Sequence, residues 1–198
     1  MRAGEGNDFL WLMSFIWIID RLCVLALAHA RMAKREGQGE IMIDFTEAFK
    51  IAAEVHGNQR DKSGEPYMGH VCRVMSQMET DEERVVAIMH DVFEDSRDRP
   101  DLNRSVLARV KLFYRSAVYN AVLDMTHGED ESYEEYLLGV ARNPLAVKVK
   151  LSNIRDNLDP VRLEKLSQGV RERLIYKYGH ALTILLRKEV ADGNGSGH

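Results

Sequence analysis

The segment Ala87-Ile88-Met89-His90-Asp91-Val92-Phe93-Glu94-Asp95-Ser96 joins an apolar run to a His-Asp pair and then to a second acidic pair. In a helix, His90 and Glu94 lie one turn apart, and so do Asp91 and Asp95. An imidazole nitrogen and a carboxylate oxygen near a helix end can both reach one divalent cation. The segment therefore predicts a metal site with two acids beside it. The alternative is a helix that ends in solvated surface acids.

Length, charge and cysteine content restrict the class of protein. The chain has 198 residues, enough for one domain and an extension. Its net charge of −4 and its lack of a long basic stretch argue against a nucleic-acid partner, while a local basic pocket for a small anion is compatible with them. Cys23 and Cys72 lack CxxC spacing, which indicates a reducing compartment and a cytoplasmic location rather than a disulfide framework.

Residues 1–42 differ in composition from the rest of the chain. Phe9–Ile19 and Leu22–Ala28 are almost wholly apolar, but Asp20 and Arg21 separate them. A membrane span needs roughly 20 consecutive apolar residues, and a charged pair within one is costly. We therefore expect an appended N-terminal extension and no membrane anchor. Membrane tethering through this segment, an export signal and a partner-binding helix are the alternatives.

The domain boundaries follow from the same change in composition. Met42 stands just before the regular pattern begins, and residues 36–40 would be encoded by purine-rich codons like those of a ribosome-binding site. Translation that starts at Met42 is therefore a hypothesis. We predict one domain over residues 43–190 and a flexible tail over residues 191–198.

Residues 43–190 show helical periodicity and no convincing alternating strand, so the predicted fold class is all-α. Asp44 is expected to cap a first helix whose apolar face includes Phe45, Ala48 and Ala52. Gly and Pro exclude a regular helix from residues 57–69. Further helices are expected from near His70, after a cap at Asp81, over Val106–Phe113 and Ala117–Met125, after a cap at Ser132, from Pro144 to before Pro160, and within residues 163–190.

A metal site of this kind needs about four protein donors. His70 begins a helix without an obvious packing role, so it joins His90 and Asp91 as a candidate ligand. The best fourth candidate is Asn153, which shares a helix face with Lys150 and Asn157. Three further residues are not selected as ligands. Asp156 is placed about 300° around that helix from Asn153. A structural role is favoured for His56, and His127 has no carboxylate at a useful spacing.

Charged residues near such a site suggest a reaction. Glu94 and Asp95 would hold or deprotonate a water beside a cation, and Lys62 and Lys150 would neutralise phosphate oxygens. All four can also be solvated surface charges. The sequence lacks a Gly-x-Ser-x-Gly nucleophile elbow, which argues against a Ser-His-Asp hydrolase.

Four blocks in order resemble a known family, the HD-domain hydrolases of guanosine tetraphosphate and pentaphosphate. That family includes the hydrolase half of the Rel/Spo stringent-response enzymes and the small stand-alone alarmone hydrolases. The resemblance covers residues 44–165 and implies an HD-domain helical bundle. The blocks are Val55-His56-Gly57-Asn58-Gln59, Lys62-Ser63-Gly64-Glu65-Pro66-Tyr67-Met68-Gly69-His70, His90-Asp91-Val92-Phe93-Glu94-Asp95-Ser96 and Val149-Lys150-Leu151-Ser152-Asn153.

The resemblance also implies residue roles. A bound Mn²⁺, or another divalent cation, would be held by His70, His90, Asp91 and the residue at position 153. Glu94 and Asp95 would handle the attacking water. Contacts to the sugar and phosphates would come from Lys62, Ser63, Tyr67, Lys150 and Asn157. The implied reaction is hydrolysis of a nucleotide 3′-diphosphate with release of pyrophosphate.

Two residues depart from the family pattern. The family's fourth ligand is Asp, whereas this chain has Asn153, which offers a carbonyl oxygen without charge. The family usually has a guanine-stacking Arg where this chain has Asp61, which is expected to repel anions. We therefore expect a metal-dependent phosphohydrolase acting on a small phosphorylated nucleotide. The alternative is a metal-poor, non-catalytic nucleotide-binding or regulatory protein that uses the same pocket.

Overall fold

The computed structural model describes residues 43–193, with side chains described through Arg187. These residues form ten helices, which confirms the all-α prediction. The helices are α1 Phe45–His56, α2 Tyr67–Ser76, α3 Asp81–Met89, α4 Val92–Asp95, α5 Pro100–Phe113, α6 Ser116–Asp124, α7 Tyr133–Val140, α8 Pro144–Asn157, α9 Pro160–Glu164 and α10 Gln168–Gly193.

Helix α3 lies at the centre of the core. Its last five residues, Val85 to Met89, are all fully buried, and α1, α2, α6 and α8 pack around it. A capping box starts it: the Thr80 hydroxyl accepts a hydrogen bond from Glu83 N at 3.2 Å, and the Glu83 carboxylate accepts one from Thr80 N at 3.1 Å. The predicted cap at Asp81 is therefore wrong by one residue, because Thr80 has the extended backbone of a cap and Asp81 is already helical.

The chain breaks its helix at the His-Asp pair. His90 ends α3, and Asp91 precedes the single turn of α4 with φ −113° and ψ 3°. Asp95 N still donates to Asp91 O at 2.9 Å, so these two residues keep the predicted one-turn spacing. The Asp91 side chain makes no capping hydrogen bond to α4, so its carboxylate is available to other partners.

The remaining helices follow the predicted pattern with shifted ends. Asp44 caps α1 by accepting from Glu47 N at 3.0 Å, Ser132 caps α7, and Pro144 opens α8 after a cap at Asn143. Helix α2 begins at Tyr67, before the predicted start near His70. Helix α5 begins at Pro100 rather than Val106, α8 ends at Asn157, and Pro160 opens α9 instead of only ending the preceding helix.

The segment between α1 and α2 is an irregular loop, as its Gly and Pro content predicts. An isolated bridge pairs Arg60 with Pro66, and Gly64 has a φ of +84°, a left-handed conformation that favours glycine. None of the helices described has the combined length and apolarity to cross a membrane. The predictions for the N-terminal extension, its membrane alternatives and Met42 lie outside the described residues. Of the predicted tail, residues 194–198 also lie outside the described residues, while residues 191–193 continue α10.

Candidate metal centre

One cavity of about 320 Å³ collects most of the residues singled out by their sequence motifs. It lies between the 57–66 loop, the α3–α4 junction, α8 and the first half of α10. Its lining includes Lys62, Ser63, Tyr67, His70, Asp91, Glu94, Asp95, Lys150, Asn153 and Asn157.

Three of the four predicted metal ligands lie together. One ligand atom each from His70, His90 and Asp91 falls within 4.8 Å of the others, although residue 70 is on α2 and residues 90 and 91 are at the end of α3. The two imidazole rings are 5.2 Å apart between centroids. This spacing allows all three side chains to reach one cation.

His90 presents an unpaired nitrogen to this cluster. Its Nδ1 lies 2.8 Å from the Ala87 carbonyl oxygen, so Nδ1 carries the proton and donates it. The buried Nε2 makes no hydrogen bond among the described residues, yet it lies 2.8 Å from Asp91 Oδ2. Two electron-rich atoms this close need a proton or a cation between them. This pair therefore fits a divalent metal ion.

His70 is oriented in the same way. Its Nδ1 donates to Asp156 Oδ2 at 2.6 Å, which leaves Nε2 unprotonated. Burial, followed by the neighbouring His90 imidazole, lowers the pKa of His70 to about 3, so the His70 ring is neutral at physiological pH. A neutral imidazole with a free Nε2 is the form that binds a metal.

Asp91 is held in its anionic form. Burial alone would raise its pKa, but the His90 imidazole, whose Nε2 lies 2.8 Å from Asp91 Oδ2, and the hydrogen bond from Tyr67 lower the pKa far below its usual range. The Tyr67 hydroxyl donates a short hydrogen bond to Asp91 Oδ2. Tyr67 was expected to contact substrate, and the structure shows that its hydroxyl is already engaged with a candidate ligand.

Asn153 lines the cavity from α8 and is almost fully buried. Its Oδ1 accepts a hydrogen bond from Asn157 Nδ2 at 2.8 Å. Oδ1 is the only atom of the Asn153 side chain that suits a metal, and one of its lone pairs is therefore already used by this hydrogen bond. Asn157, which was expected to contact substrate, is the donor of that bond.

Asp95 is held by a chain of hydrogen bonds from two residues, Gln59 in the 57–66 loop and His56 at the end of α1. Gln59 Nε2 donates to Asp95 Oδ2 at 2.7 Å, and His56 Nδ1 donates to Gln59 Oε1 at 2.7 Å. Burial, and then the nearby charge of Asp91, raises the pKa of Asp95. His56 is buried and does not line the cavity, and its Nε2 has no hydrogen-bond partner among the described residues, so its structural role stays a prediction. Glu94, by contrast, is exposed at the cavity wall.

The predicted cations face the same space. Lys150 is 8% exposed and donates to the Tyr136 hydroxyl at 2.9 Å, and burial lowers its pKa. Burial, and then the charges of Lys177 and Arg173, lowers the pKa of Lys62. Lys177 also lines the cavity, which makes α10 a contributor to the site that the motifs did not reveal.

Asp61, which was expected to repel anions, has its charge paired within the protein. Its Oδ1 accepts hydrogen bonds from the Ser63 backbone and hydroxyl at 2.9 and 2.7 Å, and its Oδ2 accepts from Arg162 Nη2 at 2.7 Å. The carboxylate therefore organises the loop that carries Lys62, and a guanidinium offsets its charge. This pairing weakens the expected repulsion of anions, which stays a prediction.

Sequence reasoning also missed three other contributors. Asp156 was set aside at 300° from Asn153, yet that is only about 60° in the other direction, and its carboxylate reaches His70. His127 lines the cavity, and its backbone N–H lies 3.3 Å from Glu94 Oε2. Gln59 was part of a motif without an assigned role. These contacts cross at least 33 residues of sequence, so no local pattern predicts them.

The helical bundle thus holds a His-His-Asp cluster that is a candidate metal centre. No protein-family model matches the chain. It is 27% identical over 135 residues to guanosine-3′,5′-bis(diphosphate) 3′-pyrophosphohydrolase of Aquifex aeolicus, and 29% identical over 143 residues to a GTP pyrophosphokinase of Myxococcus xanthus. Each alignment covers 64% of this chain and only 19% of the relative, about a fifth of its length.

A solved structure has a similar fold. It is a metazoan SpoT ortholog, described as hydrolysing ppGpp, with a TM-score of 0.57 and 22% identity over 71% of this chain and 84% of that chain. The neighbours in sequence and structure together support the HD-domain ppGpp hydrolase family, at low identity. The resemblance that the motifs indicated is thereby confirmed.

Proposed function

We propose that the protein is a metal-dependent phosphohydrolase acting on a phosphorylated nucleotide, of the guanosine-3′,5′-bis(diphosphate) 3′-pyrophosphohydrolase type. The observation that carries the proposal is the meeting of His70, His90 and Asp91 within 4.8 Å, beside a cavity that Glu94 and Asp95 also line. The names of the sequence relative from Aquifex aeolicus and of the metazoan structure support the same reaction.

The metal in this proposal is Mn²⁺, held by His70, His90, Asp91 and Asn153. Bound there, it supplies Lewis-acid polarisation of phosphate oxygens and lowers the pKa of a coordinated water. The donor set has one carboxylate, two imidazoles and one amide, a mixture that suits a borderline divalent cation.

The acidic pair handles the water that attacks phosphorus. Asp95, oriented by Gln59, accepts a proton from this water, while Glu94 holds the water at the cavity wall. The new bond joins the water oxygen to the phosphorus attached to the ribose. The bond from that phosphorus to the ribose 3′ oxygen breaks, the 3′ oxygen takes up a proton, and pyrophosphate leaves.

The cations of the cavity bind the substrate's phosphates. Lys62, from the loop, and Lys150, from α8, both line the cavity, so both can neutralise phosphate oxygens. Ser63, Tyr67 and Asn157 complete the proposed substrate-binding set. Because their polar groups already have partners in the protein, they would contact the sugar only through their remaining hydrogen-bonding capacity.

The test is hydrolysis by the purified full chain. Guanosine-3′,5′-bis(diphosphate) and other 3′-phosphorylated nucleotides are supplied with Mn²⁺, and the same nucleotides without a 3′-phosphate serve as controls. We expect pyrophosphate release from the 3′-diphosphates, phosphate release from any 3′-monophosphate that is cleaved, and neither product from the controls. An inactive protein that nevertheless binds these nucleotides would contradict the proposed reaction.

A second candidate is a non-catalytic nucleotide-binding or regulatory protein. The engaged, uncharged oxygen of Asn153 favours it, because a metal site with one carboxylate holds its cation less tightly. Metal analysis of protein purified without chelator separates the two candidates. Near-stoichiometric metal supports the enzyme, and nucleotide binding without metal supports the regulator. A cytoplasmic location, proposed from the cysteine usage, is compatible with both.

A further inference from the structure

Asp156 occupies a position next to the candidate centre that no sequence motif assigns. It lies on α8 and is 5% exposed, and its Oδ2 accepts the hydrogen bond from His70 Nδ1 at 2.6 Å. His70 is 86 residues earlier in the chain. The carboxylate and the imidazole are therefore joined by the fold alone.

This contact selects one form of the His70 ring. A carboxylate can only accept a hydrogen bond, so the proton must be on Nδ1 and the lone pair on Nε2. Histidine ligands usually donate their second ring N–H to a carboxylate or carbonyl, which sets the ring orientation and increases the basicity of the metal-binding nitrogen. For His90, the acceptor of this hydrogen bond is the neutral carbonyl of Ala87, whereas for His70 it is the negatively charged carboxylate of Asp156.

Asp156 is itself fixed by two arginines. Arg73 Nε of α2 donates to its Oδ1 at 2.6 Å, and Arg162 of α9 makes a short contact with its Oδ2. Arg162 also donates to Asp61 at 2.7 Å. Side chains from two other helices, α2 and α9, therefore hold the carboxylate, so a turn away from His70 would also break its contacts with both arginines.

We infer that Asp156 is a positioning residue for the metal ligand His70, and that it sustains metal affinity in a centre whose fourth donor is a neutral amide. With Asn153 uncharged, Asp91 supplies the formal charge among the four candidate ligands, so the basicity of the two imidazoles matters more. This inference rests on the metal centre of the proposed function. It adds that a carboxylate behind the centre, on the same helix as Asn153, controls how well that centre binds.

The experiment measures Mn²⁺ binding to the full chain by isothermal titration calorimetry, together with the apo-protein melting temperature. We expect Asp156→Asn to weaken Mn²⁺ binding by about 10- to 100-fold. The matched control is Arg73→Gln, which alters the same network on its half-exposed side but leaves the His70 contact in place. It should change the melting temperature and leave the Kd for Mn²⁺ within about threefold.

A second variant guards against misfolding. Asp156→Asn leaves the Arg73 guanidinium without its ion-pair partner. The double variant Asp156→Asn/Arg73→Gln also removes this unpaired positive charge, while Arg162 retains its ion pair with Asp61. The double variant should show the same loss of Mn²⁺ affinity. In addition, nitrogen-15 NMR of the apo protein should show the Nδ1–H tautomer of His70 in the wild type and a mixture of tautomers once Asp156 is replaced.

The outcomes are distinct. If the wild type binds Mn²⁺ and both Asp156 variants bind it equally well, the role of Asp156 is refuted and the proposed function stands. If the wild type binds no Mn²⁺, the metal centre fails, and the inference fails with it. An unchanged His70 tautomer in the Asp156 variants would also refute the positioning role.

Discussion

Single residues decide the chemistry of this site through the orientation of their polar atoms. His70 and His90 each donate a hydrogen bond to the protein from Nδ1, which leaves Nε2 available in the His70–His90–Asp91 cluster. Asp91 is kept anionic by its neighbours, and Asn153 supplies an oxygen without charge. The weakest donor is thus the amide, because a full charge about 4 Å from a unit cation is worth on the order of 4 kcal/mol at an effective dielectric of about 20.

Replacing this amide with a carboxylate should strengthen the centre. We expect Asn153→Asp to lower the Kd for Mn²⁺ by at least about tenfold, because it adds a charge at the proposed fourth ligand. Asn157→Asp adds the same charge one turn further along α8 and should have a smaller effect. Calorimetry with Mn²⁺ measures both. Equal affinity of Asn153→Asp and the wild type would remove Asn153 from the metal shell.

Asp95 should control turnover without controlling metal binding. We expect Asp95→Asn to reduce kcat by about 10²- to 10⁴-fold, since the proposed base is lost, while the Kd for Mn²⁺ stays within about threefold. The exposed Asp98→Asn is the control for a nearby loss of charge and should leave kcat unchanged. A normal kcat in Asp95→Asn would assign the base to another residue.

The pH dependence of the wild type has a defined sign. Burial and the Asp91 charge raise the pKa of Asp95 above its usual 3.8, and the base must be deprotonated to act. Activity should therefore fall, as the pH is lowered, at a higher pH than an ordinary Asp would give. The residual activity of Asp95→Asn should lack this step.

At the level of elements, the break between α3 and α4 positions the candidate ligands His90 and Asp91. A continuous helix would direct His90 and Asp91 about 100° apart around one axis. The junction instead ends α3 at Met89, buries His90 and points the Asp91 carboxylate towards both His90 and Tyr67. The buried C-terminal half of α3 and its capping box hold this junction in place.

Glu83, at the start of α3, should therefore matter for stability. Its carboxylate accepts from the backbone N–H groups of Glu79 and Thr80 and from Lys148 at 2.7 Å. We expect Glu83→Gln to lower the free energy of unfolding by about 1 kcal/mol, the typical worth of a cap. Urea denaturation measures this change in the free energy of unfolding. Glu82→Gln is the control, because it removes the same charge from the same helical turn.

The pH dependence of that difference is a second check. Although burial opposes the shift, the hydrogen bonds from Lys148, Thr80 and Glu79 lower the folded-state pKa of Glu83 from 4.5 to about 2. The stabilisation is therefore complete above pH 4.5 and is lost as the pH falls from 4.5 towards 2. The wild type and Glu83→Gln should converge in stability over this interval. A constant difference would contradict the assigned contacts.

At the scale of the whole molecule, the site joins elements that are distant along the chain. The cavity takes its wall from the 57–66 loop, the α3–α4 junction, α8 and α10. Arg162 ties the loop, through Asp61, to Asp156 on α8. A cation bound by His70 and the His90–Asp91 pair would add a further link between α2 and α3, so its binding should stabilise the folded chain.

The melting temperature should therefore depend on Mn²⁺. At a concentration 100 times its Kd, Mn²⁺ adds about 2.7 kcal/mol to the free energy of unfolding, which raises the melting temperature by several degrees relative to protein in chelator. His90→Asn should abolish the increase. His127→Asn, which changes a cavity histidine outside the cluster, should keep it. A Mn²⁺ effect that survives His90→Asn would place the cation elsewhere.

Much of the fold was readable from the sequence because helices depend on local patterns. Asp44, Ser132 and Pro144 begin helices as predicted, since caps and N-terminal prolines act within one turn. The errors are local as well: Thr80 rather than Asp81 caps α3, and α2 and α5 start at Tyr67 and Pro100, before the predicted starts near His70 and at Val106. The motifs also indicated the candidate ligands and acids that line the cavity.

The sequence by itself thus determined the helices, the apolar core positions and the kinds of residue that the site contains. Only the tertiary structure decided that Asp156 supports His70, that Arg162 offsets Asp61 and that Lys177 enters the cavity. Asp156 and Arg162 meet partners 86 and 101 residues away, respectively. Helix periodicity and caps act over a few residues, whereas such contacts form only when packing of the buried faces brings distant turns together.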